Sequence, residues 1–145
     1  MVGELKATLG ICGEPVVGQA LTLLLRGSGY AARFLLAQSL VERRALAEDV
    51  RLLVLAPTPG LGAERRDALV RSLEEVSEAR SVPVLELVTP GEARRREGAQ
   101  SESWHTVPWP CRIEELERRI EAALMRRYGT RGERNGNPTD AAVRL

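Results

Sequence analysis

Cysteine, histidine and lysine are scarce in this chain. Its 145 residues include two cysteines, one histidine and a single lysine, Lys6. Cys12 and Cys111 lie far apart and match neither a disulfide framework nor a Cys-x-x-Cys site. His105 has no partner at ligand or triad spacing, so neither a metal centre nor a histidine-based catalytic site is expected, and no cofactor is. Apolar runs are short, none approaching the ~20 residues a membrane helix needs. Met1 to Ala7 carries Glu4 and Lys6 with no apolar stretch, so no signal peptide is expected either. An excess of one charge is missing too: the net charge is +1, with acids and bases interleaved. That is no footprint for nucleic acid or an acidic membrane surface. A cytoplasmic, reduced, soluble protein is the expectation.

A hydrophobic fraction of 43% with 28% charged residues is ordinary for a globular domain. Short apolar runs alternate with amphipathic stretches. Ala7 to Cys12 reads as a buried strand, and Pro15 opens a helix at the position where a missing N–H is harmless. That helix runs to Arg26 and stops at Gly27-Ser28-Gly29. Ala31 to Leu36 is a second strand. Ser39 and Glu42 form a capping box for a helix reaching about Glu48. Arg51 to Ala56 is the most apolar strand, hence central; Pro57-Thr58-Pro59-Gly60 breaks it. Ala63 to Ala79 is a helix with Leu69, Val70, Leu73 and Val76 on one side. Val82 to Val88 and Trp104 to Val107 are the last two strands. Between them, Glu92 to Ser103 supplies no large apolar residue, so a fourth helix is expected to be short or absent. Arg112 to Tyr128 is the clearest helix, with Ile113, Leu116, Ile120 and Leu124 on one face and Glu114–Arg118 and Glu115–Arg119 spaced as i,i+4 pairs. Residues 1–128 read as one domain and 129–145 as a disordered tail. The alternation implies an α/β domain with a parallel sheet.

Some features invite functional readings that weaken on inspection. Gly60-Leu61-Gly62 lacks the spacing of a phosphate cradle and reads as a turn. Arg94-Arg95-Arg96 is followed by Glu97 and Glu102, with no aromatic platform, and reads as a solvated loop.

Three places together resemble the receiver domains of response regulators. Cys12-Gly13-Glu14-Pro15 stands where that family writes two acids followed by Glu-Pro. Pro59-Gly60 falls just after the third strand, at the family's Pro-Gly turn. Trp109-Pro110, followed by Ile113-Glu114-Glu115-Leu116, is similar to the family's Lys-Pro and the start of its last helix. The resemblance covers about Leu9 to Leu124. It implies a flavodoxin-like (βα)5 three-layer sandwich with five parallel strands in the order 2-1-3-4-5.

In that family an aspartate ending the third strand accepts the phosphoryl group, and two acids after the first strand help hold Mg²⁺. A hydroxyl residue on the fourth strand and a lysine on the fifth contact the phosphoryl oxygens. Here the nucleophile position is Ala56, or Leu55 if the turn is aligned without a gap. The acid pair is Cys12 and Gly13, leaving only Glu14. The hydroxyl position is Val88, with Thr89 next to it, and the lysine position is Trp109. The resemblance therefore implies a degenerate phosphorylation pocket and a pseudo-receiver. It would be no enzyme, but a signal-transduction module acting through phosphorylation-independent protein–protein contact. The alternative is a small-ligand binder or enzyme reusing the vacated pocket around Cys12 and Trp109. Trp109 would be either a plug in that pocket or an interface anchor, and Cys12 a buried, inert thiol.

A partner surface is expected on the first and last helices, which share one side of the sheet in that family. On a helical projection Val17, Ala20, Leu21 and Leu24 face the sheet, while Val16, Gln19, Leu23 and Arg26 form the outer stripe. Glu115, Arg118 and Arg119 on the last helix would supply a polar rim. The partner would be a signalling protein or a second copy of the chain, with neither nucleic acid nor membrane involved.

Overall fold

The structure, a computed structural model, describes residues 7–36, 49–58, 62–90 and 104–128. The expected helix from Ser39, the Pro59-Gly60 turn, the stretch Glu92 to Ser103 and the tail from Gly129 lie outside the described residues. The chain falls into two compact units, Met1–Pro110 and Cys111–Leu145.

In the first unit, β1 (Thr8–Cys12), β2 (Ala31–Phe34), β3 (Val50–Leu55), β4 (Val84–Val88) and β5 (Trp104–Pro108) form one sheet in the order β2-β1-β3-β4-β5. All neighbours are parallel, with Ile11 beside Phe34 and Val54, and Leu85 beside His105. The order matches the expectation. Apolar runs lie in the middle of the sheet because parallel strands are covered on both faces: Leu52 to Leu55 and every residue of β4 are buried. β4 starts two residues later than the apolar pattern suggests. The Val82 N–H turns back to the Ser77 carbonyl, 3.1 Å away, and Pro83 has no N–H to offer, so the ladder begins at Val84.

Among the described residues, two helices belong to this unit, α1 (Pro15–Gly27) and α2 (Ala63–Arg80). On α2 the buried residues are Leu69, Val70, Leu73, Val76 and Ser77, the expected stripe plus one serine. The Ser77 hydroxyl is satisfied by the Val82 carbonyl at 2.6 Å.

The phase of α1 differs from the expectation. Gly18, Leu21, Thr22 and Leu25 are buried, whereas Ala20 and Leu24 are exposed and Val17 only half-buried. Gly18 explains the shift. A Cβ there would lie 2.3 Å from Cε1 of Phe34, so the missing side chain lets α1 settle against β2. Thr22 can follow it inward because its hydroxyl donates to the Gly18 carbonyl at 2.8 Å.

The second unit holds α3 (Ile113–Tyr128), whose buried residues are Leu116, Ile120 and Ala123. On its polar side Glu115 accepts from both Arg118 and Arg119, the latter at 2.8 Å. Arg118 thus turns to Glu115 rather than to Glu114.

Candidate functional site

The C-terminal ends of β1 and β3 meet where the receiver resemblance places its chemistry. The Ala56 N–H donates to the Cys12 carbonyl at 2.8 Å, extending the ladder one step past β3. Gly13 follows with φ 127°, a conformation that residues with a side chain rarely adopt. A Cβ at Gly13 would lie 2.9 Å from the Ala56 carbonyl oxygen and 3.2 Å from the Ala56 Cβ. The two backbones are in contact where two carboxylates would have to stand.

The neighbouring positions are equally unsuited to a hard cation. Cys12 is 0% exposed and packs in the same core cluster as Leu53, Leu55, Leu69 and Trp104. Its thiol points to the Val54 carbonyl at 3.5 Å, and burial pushes its pKa up to about 12. Glu14 caps α1, its Oε1 accepting from the Val17 N–H at 3.0 Å. Ala56 and Val88 are buried, Thr89 and Trp109 half-buried. The Trp109 N–H donates to the Val88 carbonyl at 2.8 Å, and the peptide to Pro110 is cis. The resemblance implies Mg²⁺ at this place, but these residues do not fit it. A dication of that kind wants several oxygen ligands in octahedral geometry, and the one carboxylate of the set is engaged as a helix cap. Among the described residues no cluster of three or more His, Cys, Asp or Glu could hold a metal.

A polar group that the sequence reading passed over lies in β4. Glu86 is 1% exposed, in a strand otherwise made of Val and Leu. Its Oε2 accepts from Arg66 of α2 at 2.9 Å, and its Oε1 from the Trp104 indole N–H at 2.9 Å. Arg66 also donates through Nε to the Thr58 hydroxyl at 3.1 Å. The network ties the β3–α2 connection to β4 and β5, across the α2 face of the sheet. The signal available in sequence was a lone acid within Val-Leu-Glu-Leu-Val.

The residues expected at a partner surface are placed as follows. Val16, Gln19 and Leu23 are exposed on α1. Arg26 is exposed but folds back, its Nε donating to the Ala32 carbonyl at 2.8 Å. Glu115, Arg118 and Arg119 lie on α3 in the second unit, where the hydrogen bond from Arg119 holds the Glu115 carboxyl below its usual range. The Cys111 thiol, half-buried, is raised by partial burial and by Glu115.

Solved structures match this fold over nearly their whole length. A response regulator receiver domain protein from Clostridium thermocellum superposes with a TM-score of 0.61 at 20% identity, over 83% of this chain and 96% of that one. The fold is that of a receiver domain. The signal receiver domain of a histidine kinase from Syntrophus aciditrophicus gives a TM-score of 0.60 at 19% identity, covering 86% and 93%. The receiver domain of the response regulator PhyR from Erythrobacter litoralis gives 0.58 at 21%, covering 86% and 94%. No family model and no curated protein matches the chain. Among the described residues no helix is long and apolar enough to cross a membrane.

Proposed function

We propose that this chain is a receiver-type signal-transduction module that works without phosphorylation, by protein–protein contact. One observation carries the reading: Gly13 and Ala56 approach so closely that a Cβ on Gly13 would lie 2.9 Å from the Ala56 carbonyl oxygen. Phosphoryl transfer in this fold needs a carboxylate nucleophile and a cation to neutralise the developing charge. Here the nucleophile position holds a methyl group and its neighbour a glycine whose φ excludes most side chains. The module is therefore read as non-enzymatic, with its output in its outer surfaces; a cytoplasmic location is part of the same proposal. The ligand-binding alternative draws no support from Cys12, which is 0% exposed and part of the core.

The test is incubation of the full chain with acetyl phosphate and Mg²⁺, followed by intact-mass measurement. The mass is expected to stay unchanged. A stable gain of one phosphoryl group would overturn the reading.

A further inference from the structure

We propose that the outer face of α1 is a homodimer contact in which two copies of α1 pack antiparallel about a two-fold axis. This rests on the reading of the chain as a contact-making module, and it names the partner as a second copy.

The buried residues Gly18, Leu21, Thr22 and Leu25 fix which way α1 faces. Directly opposite them, at about 100° per residue, runs the row Val16, Ala20, Leu23 and Gly27, with Leu24 beside it. Every member is exposed, Val16 by 74%, Leu23 by 66% and Leu24 by 55%. A Cβ on Gly27 would meet nothing within 4 Å. No charged residue stands between Glu14 and Arg26. Single exposed apolar residues are normal on a surface; a contiguous row without charge is a candidate contact, and its pattern of sizes decides what could cover it.

The order of sizes along the row is large, small, large, small. When a second copy runs in the opposite direction, Val16 comes opposite Gly27 and Leu23 opposite Ala20, and two-fold symmetry repeats both pairings. Each large side chain then meets a small one, which fills the interface without voids. The small residues also let the helix axes approach toward the short end of the usual ~8–10 Å.

Charge agrees with this direction. Glu14 marks the N-terminal end of α1 and Arg26 its C-terminal end. The antiparallel register brings Arg26 of one copy within about one helical turn, ~5 Å along the axis, of Glu14 on the other. With Glu14 capping its own helix and the Arg26 Nε on the Ala32 carbonyl, the pair complements in sign at a distance and forms no bridge. Parallel packing would set like charges side by side. The apolar row exposes roughly 300 Å² per copy, below the ~800 Å² per partner of a standard stable interface. A reversible dimer with a micromolar dissociation constant is expected.

Sedimentation velocity on the full chain tests this over a concentration series. Wild type should be dimeric near ~100 µM and monomeric below ~1 µM. Leu23→Glu should be monomeric throughout, with its circular dichroism and melting point kept. Ala20→Lys should also be monomeric alone. An equimolar mixture of the two variants should recover a dimer, because Lys at position 20 then faces Glu at position 23. A Leu23→Glu variant that stays dimeric, or a mixture that stays monomeric, overturns the contact or its register. If Leu23→Glu fails to fold, Ala20→Lys alone decides: a persistent dimer overturns the proposal. A wild type that is monomeric throughout the series also overturns it. Should Leu23→Glu then still remove a protein captured from the native cell, the contact-module reading stands and only the second copy falls.

Discussion

Cys12 stands where the receiver resemblance calls for an acid, and its surroundings suit a thiol. A thiol is small and apolar enough to turn into the core cluster beside Leu53 and Leu55, which a carboxylate could not do unpaired. Burial raises its pKa from 9.0 to about 12. The sign of the linkage follows. Below pH 9 the thiol is protonated in folded and unfolded chain alike, and its contribution is fully present. Between pH 9 and about 12 the unfolded chain ionises first, so stability is lost as pH rises, by up to ~1.4 kcal/mol per pH unit. Urea unfolding at a series of pH values should therefore show wild type losing stability above pH 9 faster than Cys12→Ala. Equal slopes would mean that the thiol ionises as easily in the folded chain. Cys12 should also resist alkylation until the chain unfolds.

At the level of elements, β4 and α2 are joined by the Glu86–Arg66 pair, with side chains 1% and 14% exposed. Such a pair is weak evidence for net stability, since both charges left water to form it. Breaking it is another matter. Arg66→Ala would take the guanidinium away from a carboxylate that is 1% exposed, and should cost about 3–5 kcal/mol in urea unfolding. Arg66→Lys should recover part of this, because the amine can reach the carboxylate but not also hold Thr58 through a planar fork. A loss below ~1 kcal/mol would show that water already reaches the pair.

These two elements also mark how far the sequence was legible. Strands were readable because a sheet covered on both faces demands apolar runs, and α2 because its stripe is made of Leu and Val. The phase of α1 was misread because Gly18 and Thr22 face the sheet. Neither carries a hydropathy signal: one acts by having no side chain, the other by bonding to its own helix. The Glu86 network was invisible for a different reason. Its partners lie 20 residues before and 18 after it, and only the fold brings them together. At the strand ends, Ala56, Gly13 and Trp109 could be set against the family's positions from sequence alone. The contact between the Gly13 and Ala56 backbones could not.

For the molecule as a whole, nothing in the sheet order depends on strand-end carboxylates. Parallel pairing and apolar cover hold β1, β3 and β4 together, and Cys12, Ala56 and Val88 add to the buried set. Apolar residues in place of polar site residues generally favour stability over activity, and here a Cβ on Gly13 would lie 2.9 Å from the Ala56 carbonyl oxygen. It follows that placing acids at these positions should not create a cation site. In a Gly13→Asp, Ala56→Asp double variant, the aspartate at position 13 would sit at φ 127° with its Cβ 2.9 Å from a backbone oxygen. The two carboxylates would also repel each other at short range. The variant is expected to lose about 2–4 kcal/mol relative to wild type. A working site with millimolar affinity would gain ~1.4 kcal/mol at ten times its Kd, raising the melting point by several degrees in a domain of this size. The expected shift on adding Mg²⁺ at that level is below ~1 °C, for wild type and variant alike. A rise of several degrees in the variant alone would show that the backbone at Gly13 can make room for a carboxylate, and that only the side chains keep Mg²⁺ from the wild-type strand ends.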